Sequence, residues 1–191
     1  VALDVVLNAI AGQGFTIRKI ALGSQGGVTA AKRGECDLAP THLMDPASGT
    51  YNKHLLASGL ALVPGWRRMQ GFVYRKGDER FEGKDARQAI AAALKDTRAI
   101  MVSRNQGAGT RILIDQLLAG AKPAGYGNQP RSHNAVAAAV SQGRADWGIA
   151  ISQVAELYGL GFLPLTPEHY DFLLVESRRD RPAVKAFLAA L

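Results

Sequence analysis

The stretch from Ala99 to Gly120 constrains the fold most, because it passes from an apolar run through a glycine turn into an amphipathic helix. Residues 99–102 (AIMV) have the length and continuous apolarity of a buried parallel strand. Ile114, Leu117 and Leu118 then fall on one stripe of a helix. This order predicts an α/β fold with a parallel sheet, and the unpaired N–H groups at the helix start can bind an anion.

The residues around this turn are the first candidates for a binding site. They are Arg104, Asn105, Gly107, Gly109, Thr110 and Arg111. Glycines let the backbone approach a ligand closely, Thr110 can donate from its hydroxyl, and Arg104 or Arg111 can add a charge-assisted bond. The alternative is a tight turn with solvated arginines. No Gly-Lys-Ser/Thr sequence ends the turn, which argues against nucleotide hydrolysis.

Hydrophobic periodicity and turn residues predict the remaining elements. A helix is expected over 3–10, where Leu3, Val6, Leu7 and Ile10 make an apolar stripe. Further helices are expected over 23–32, 85–94, 133–141 with Ser132 as the N-cap, 151–158 and 182–191. Strands are expected over 15–22, 37–39, 60–63, 71–74, 146–150, 162–165 and 172–176, with a break at Pro64-Gly65 between the third and the fourth of these.

Two segments of the chain resemble each other. Residues 30–39 (AAKRGECDLA) and 138–150 (AAVSQGRADWGIA) each combine an Ala-rich helix end, a glycine, an aspartate and an apolar strand. Any αβ unit could produce this likeness. It also fits two related α/β lobes whose helix N-termini face a shared ligand cleft.

Charge and composition limit the kinds of molecule that this chain is expected to bind. The chain has a net charge of +7 and a pI near 9.8, but its basic clusters are short and far apart, which argues against direct contact with nucleic acid and favours a small anion. The one cysteine, Cys36, is predicted to be a packed thiol. No apolar run is long enough for a membrane span and no signal peptide is visible, so a cytoplasmic location is expected, or a periplasmic one if a removed signal peptide preceded residue 1.

Several motifs together resemble a known family. They are the glycine-rich run at 23–27, RGECDLAPTHLMDPASGTYN at 33–52, RMQG at 68–71, RNQGAGTR at 104–111, SHNAVAAAV at 132–140 and GRADWGIA at 143–150. In this order they resemble the type II periplasmic-binding-protein-like domains. The resemblance is closest to the subgroup found fused to molybdopterin-biosynthesis proteins and helix-turn-helix regulators, and more distant to molybdate and tungstate binding proteins.

This resemblance implies two α/β lobes with the ligand cleft between them. Residues 1–70 and 167–191 would form the first lobe, and residues 71–166 the second. In the family a strand usually precedes the first helix and contributes a loop to the ligand site. No such strand is seen before the first predicted helix of this sequence.

Further ligand residues are expected on both lobes. Ser24, Gln25 and Gly26 would face the cleft from the first lobe, unless Ser24 is a plain helix cap. Thr41 and His42 follow a predicted strand, where α/β sheets usually present ligand contacts. Arg68 lies near a lobe crossing. Ser132 and His133 stand at a helix start, where His133 either contacts the ligand or serves the helix cap or a lobe contact.

The predicted function is non-catalytic binding or sensing of a small anion, with no metal and no cofactor. The resemblance makes molybdate or tungstate the leading candidate, and an organic or pterin-like anion the alternative. A fused or associated DNA-binding or molybdopterin-biosynthesis module is the expected partner. The competing predictions are an enzyme of molybdopterin biosynthesis, for which no nucleophile elbow, zinc motif or carboxylate pair is present, and a regulator's effector domain.

Overall fold

The computed structural model describes residues 2–45 and 47–191. In chain order the helices and strands are α1 (Ala2–Ala11), α2 (Gly23–Lys32), β1 (Leu38–Thr41), β2 (Leu60–Tyr74), α3 (Ala86–Lys95), β3 (Met101–Val102), α4 (Gly109–Leu118), α5 (His133–Ser141), β4 (Trp147–Ile151), α6 (Ser152–Leu157), β5 (Gly161–Val175) and α7 (Pro182–Ala190). Short 3-10 helices occupy Lys53–Leu55 and Glu176–Arg178.

The chain divides into two compact units. The first comprises residues up to 66 and from 169 onward, and the second comprises residues 67–168. Strands β2 and β5 each begin in one unit and end in the other. Each unit contains helices and strands, so the predicted α/β class is confirmed.

In the first unit, β1 pairs antiparallel with β5, from Leu38 opposite Leu174 to Thr41 opposite Asp171. The predicted stripe of α1 is confirmed, because Val6 and Ile10 are buried in an apolar cluster with side chains from β5 and α7. The sequence predicted a parallel sheet, but β1 is antiparallel to β5, so the prediction is wrong for this pair of strands.

The strand predicted over residues 15–22 is wrong. These residues are irregular, and Ile20 and Leu22 are exposed. Alternation of apolar and polar residues creates a strand only where a neighbouring strand accepts the backbone hydrogen bonds, and β1 pairs with β5 instead.

Asn52 holds the buried polar interior of the first unit together. Its side chain is fully buried, accepts from Leu43 N (2.8 Å) and from the Thr41 hydroxyl (3.3 Å), and donates to Asp171 (2.8 Å) and to the carbonyl of His169 (3.1 Å). Its backbone is left-handed, with φ of 64°, a conformation that Asn adopts more readily than most residues.

The break predicted at Pro64-Gly65 is also wrong, because β2 continues through it to Tyr74. Pro64 is exposed, as prolines within strands usually are. A Cβ on Gly65 would lie 2.2 Å from the Tyr170 carbonyl oxygen, so glycine allows two strands to approach here rather than ending one. The two strands predicted over 162–165 and 172–176 are likewise one strand, β5.

In the second unit, β4 is central. It pairs antiparallel with β2, from Gln70 opposite Ile151 to Tyr74 opposite Trp147, and parallel with β3, where Val102 lies opposite Gly148. The predicted parallel strand before the glycine turn is therefore confirmed. The predicted Ser132 cap is confirmed as well, since its side chain accepts from the third residue of the turn that begins α5.

The loop before α5 packs on β3. Met101 N donates to the Ala124 carbonyl (2.7 Å) and Ser103 N to the Asn128 carbonyl (2.8 Å). Gly125 has φ of 82°, and a Cβ there would lie 2.0 Å from the Met101 carbonyl oxygen. The loop thus accepts from one N–H group of β3 and from that of the residue after it, which would otherwise be unpaired.

Asp146 joins three parts of the second unit. Its carboxylate accepts from Arg75 Nη2, Arg80 Nη2 and Ile100 N, each at 2.8 Å. Burial opposes its ionisation, but these hydrogen bonds outweigh burial and hold the pKa of Asp146 below its usual range. The carboxylate therefore stabilises the folded state above the unfolded pKa near 3.8, and this contribution is lost as the pH falls through the lower folded pKa.

Replacing Asp146 with Asn is expected to lower the free energy of unfolding by about 2 kcal/mol at pH 7, because charge-assisted hydrogen bonds are lost. Urea unfolding at pH 7 and at about pH 3 measures the effect, and the difference from wild type should shrink at the lower pH. The exposed Asp180→Asn is the control and should change stability by less than about 0.5 kcal/mol. Equal destabilisation by both variants would contradict the assignment.

Candidate functional site

A short turn at residues 103–108 connects β3 to α4. Gly107 has φ of 79°, which glycine adopts without strain, and α4 begins at Gly109 with no side-chain cap on its N-cap residue, Ala108. The N–H groups of Gly109 and Thr110 lie in the first turn of α4, where no earlier residue of the helix can accept their hydrogen bonds. They also lie at the positive end of the helix dipole.

Arg104 is buried on this turn, with only 6% of its surface exposed. Its Nη2 makes one long bond to the Arg131 carbonyl (3.4 Å), while Nε and Nη1 have no hydrogen-bond partner among the described residues. Burial, together with the nearby charge of Arg68, lowers the pKa of Arg104 to about 10, so it remains a cation at neutral pH. A buried cation with unused donors is costly unless a ligand completes it.

Arg111, the other arginine of the turn, is fully engaged. Its Nε donates to Asp115 (2.8 Å), Nη1 to the Arg104 carbonyl (3.0 Å) and Nη2 to the Tyr126 hydroxyl (2.5 Å). The guanidinium also lies 4.4 Å from the centre of the Tyr126 ring. Arg111 therefore holds the turn against α4 and the following loop.

The alternative of a turn with solvated arginines is wrong, because Arg104 and Arg111 are both buried. Two hydroxyls on the same segment, those of Ser103 and Thr110, are fully buried and make no hydrogen bond within the part of the chain that the structure describes. Native proteins rarely leave such groups unpaired. Together with Arg104 they are donors suited to an anionic oxygen.

Strands β2 and β5 add two charged groups, Arg68 and Glu168, whose charges act on Arg104. Arg68 pairs with the fully buried Glu168, and Gln70 Nε2 donates to the other oxygen of the same carboxylate (2.5 Å). Burial raises the pKa of Glu168, and the charges of Arg68 and Arg104 counteract part of that rise. We use the name buried polar cluster for five buried residues and the half-buried Arg68; the five are Gln70, Ser103, Arg104, Thr110 and Glu168.

The pairing of the strands explains why these residues share one end of the sheet. Because β3 and β4 are parallel, the turn that follows β3 lies at the same end of the sheet as Ile151, the last residue of β4. Gln70 pairs with Ile151 and so lies at this end too. The carboxyl ends of parallel strands are where α/β proteins usually bind ligands.

The other predicted residues of the second unit lie at helix or turn starts. Asn105 is half-buried and donates to the Gln106 carbonyl (3.1 Å). Ser132 is exposed and accepts from Ala135 N (3.1 Å) as the cap of α5. His133 is half-buried as the first residue of that helix.

The predicted residues of the first unit have mixed surroundings. Ser24 is buried in the first turn of α2 and is not its cap, since the N-cap is Leu22; the plain-cap alternative is wrong. Gln25 is exposed and Gly26 half-buried.

Thr41 and His42, at the end of β1, both make contacts within the first unit. Thr41 donates to Asn52, and the His42 ring stacks on the ring of Tyr170, with 5.7 Å between the ring centres. Their contribution to a ligand site stays a prediction.

Three members of the buried polar cluster, Ser103, Gln70 and Glu168, were not among the site residues predicted from the sequence. Gln70 and Glu168 come from segments 98 positions apart, which only strand pairing brings together. The sequence did contain a sign that Arg111 is paired and not free for a ligand. Asp115 stands four residues later on the same helix, which is the spacing of an ion pair.

In the part of the chain that the structure describes, no group of three or more His, Cys, Asp or Glu side chains is arranged to hold a metal ion. Among the helices of residues 2–45 and 47–191, none is both long and apolar enough to span a membrane.

The chain has two α/β units, and at the carboxyl end of β3 the buried donors of Ser103, Arg104 and Thr110 lack partners among the described residues. These features are those of a small-ligand-binding domain. The chain belongs to the periplasmic-binding-protein (PBP) superfamily, because residues 7–191 match the family described as PBP superfamily domain. It is 32% identical over 179 residues to the uncharacterized protein YvgK of Bacillus subtilis (strain 168). That match covers 87% of this chain and 56% of the relative, so the chain spans little more than half the relative's length.

Solved structures share the type II fold at low sequence identity. An ABC-type phosphate transport receptor from Vibrio cholerae matches with a TM-score of 0.64 and 14% identity, covering 98% of this chain and 88% of the receptor. The effector binding domain of QuiR in complex with shikimate matches with a TM-score of 0.62 and 16% identity, covering 99% of this chain and 86% of that domain.

Proposed function

We propose that this chain is a ligand-binding domain for a small anion, and that its second unit holds the anionic group. The observation that carries the proposal is Arg104, a buried cation whose Nε and Nη1 find no acceptor in the described residues. A bound carboxylate or oxyanion would supply the missing acceptor and the missing negative charge.

Neighbouring groups would complete the same anion site. The Thr110 hydroxyl and the N–H groups of the first turn of α4 are donors, and the helix dipole favours negative charge at this end. An anion bound here would need no metal ion, since all these groups are donors or cations.

We further propose that the domain binds its ligand without converting it. The buried carboxylate of the cluster, Glu168, has one oxygen paired with Arg68 and the other with Gln70, so it is engaged rather than poised as a general base. The remaining members of the cluster are amides, hydroxyls and guanidinium groups, which orient an anion but do not remove a proton at neutral pH.

Molybdate and tungstate remain proposals that rest on the sequence resemblance, as does a fused or associated regulator or molybdopterin-biosynthesis module. The phosphate receptor and the shikimate complex among the structural relatives suggest two further probes, one inorganic and one organic. The probes should therefore include both chemistries.

Isothermal titration of the chain with molybdate, tungstate, phosphate and shikimate tests the proposal. Saturable binding of at least one of these anions is expected, together with an increase in Tm at saturating ligand. Choline and glucose, a cation and a neutral sugar, serve as controls and should give no saturable heat. Absence of binding by all four anions would overturn the proposal.

A further inference from the structure

The charges within the buried polar cluster do not cancel. Both oxygens of Glu168 face donors, one on Arg68 and the other on Gln70, and this arrangement holds Glu168 as a carboxylate. Together with the cations Arg68 and Arg104, the three groups then carry one net positive charge. One singly charged anion would neutralise the cluster, whereas a doubly charged anion would leave an uncompensated negative charge in a buried place. Buried uncompensated charge is strongly unfavourable.

Glu168 is placed to act through its charge. It is fully buried, and its oxygens are engaged by Arg68 and by Gln70, which holds the carboxylate in position. The charge of Glu168 also acts on Arg104, the proposed partner of the ligand. A carboxylate fixed in this way repels a second negative charge on any anion bound to Arg104.

We propose that Glu168 is a specificity residue that makes this domain select a singly charged anion over a doubly charged anion of the same shape. The inference rests on the proposed function, because it concerns the ligand of that site. It favours a monocarboxylate or another monoanion over molybdate and tungstate.

Perrhenate and tungstate provide a matched pair of probes, since both are tetrahedral oxyanions of nearly equal size and they differ by one charge. Their dissociation constants are measured at pH 7.5 directly, or by displacement of the anion found in the titrations above. Wild type is expected to bind perrhenate more tightly than tungstate. If wild type binds tungstate more tightly, the inference is overturned.

The Glu168→Gln variant tests the cause of the preference. Gln keeps the shape and removes the negative charge, so the ratio of tungstate to perrhenate affinity is expected to rise by about tenfold or more, as for one charge interacting over several ångströms in a protein. Because the ratio is compared between two proteins, differences in the hydration of the two anions cancel.

Two further variants serve as controls. Glu79→Gln makes the same change in total charge at an exposed position beyond the end of β2, and should leave the ratio unchanged. Glu168→Asp keeps the charge and should keep the wild-type ratio. A Glu168→Gln ratio equal to that of wild type would overturn the inference alone. No binding of any anion by wild type would overturn the proposed function and the inference with it.

Discussion

Replacing Arg104 with Gln is expected to weaken binding of the anion at least about 100-fold, while the Tm of the free chain stays unchanged or rises. Two charge-assisted hydrogen bonds to the ligand are lost, each contributing about 1.5 to 3 kcal/mol. The free chain loses a desolvated cation with unused donors, and removing such a group does not destabilise a folded protein. Titration calorimetry and thermal unfolding of the same samples measure both effects.

Arg111→Gln is the matched control, because it is the same substitution on the same turn. Arg111 is paired with Asp115, with Tyr126 and with the Arg104 carbonyl, so its loss is expected to lower the Tm by several degrees. Weaker binding in this variant would follow from the disturbed turn. The assignment of Arg104 would be wrong if Arg104→Gln lowered the Tm as much as Arg111→Gln does and left the anion affinity intact.

Replacing Asn52 with Ala is expected to lower the stability of the first unit by about 4 kcal/mol. The Leu43 N–H and the Asp171 carboxylate lose buried hydrogen-bond partners, at about 1 to 3 kcal/mol each. Ala also tolerates the left-handed backbone poorly, at a further cost of about 1 kcal/mol. Hydrogen exchange followed by mass spectrometry measures the loss, because peptides from β1 report on this unit separately from peptides of β4.

Asn52→Gly separates the two causes. Glycine accepts the left-handed backbone but lacks the side chain, so it should recover about 1 kcal/mol of the loss. Asn8→Ala, at an exposed position of α1, should leave exchange in β1 unchanged. Equal protection of β1 in wild type and Asn52→Ala would refute the role of Asn52 as the hub of this unit.

Much of the local structure could be predicted because its causes are local. The stripe of Val6 and Ile10, the Ser132 cap and the glycine turn before α4 follow from spacing and from backbone chemistry within a few residues. That β3 is a parallel strand followed from the order of strand, turn and helix, whereas its partner β4 was not predicted.

The errors fall where long-range pairing decides. Residues 15–22 alternate as a strand does, yet they have no strand partner within the described part of the chain. The Pro64-Gly65 pair has the composition of a break, but close approach to Tyr170 makes the glycine part of a continuous strand. Local composition does not reveal such a neighbour.

The α/β class, the helix starts and the turn that carries two arginines follow from local patterns, because periodicity, caps and glycine conformations depend on near neighbours. The folded chain alone shows that Arg111 is paired, that Arg104 is buried with unused donors and that the charge of Glu168 acts on it. A side chain's electrostatic environment depends on distances in space, and strand pairing places residue 168 beside residues 68 and 70.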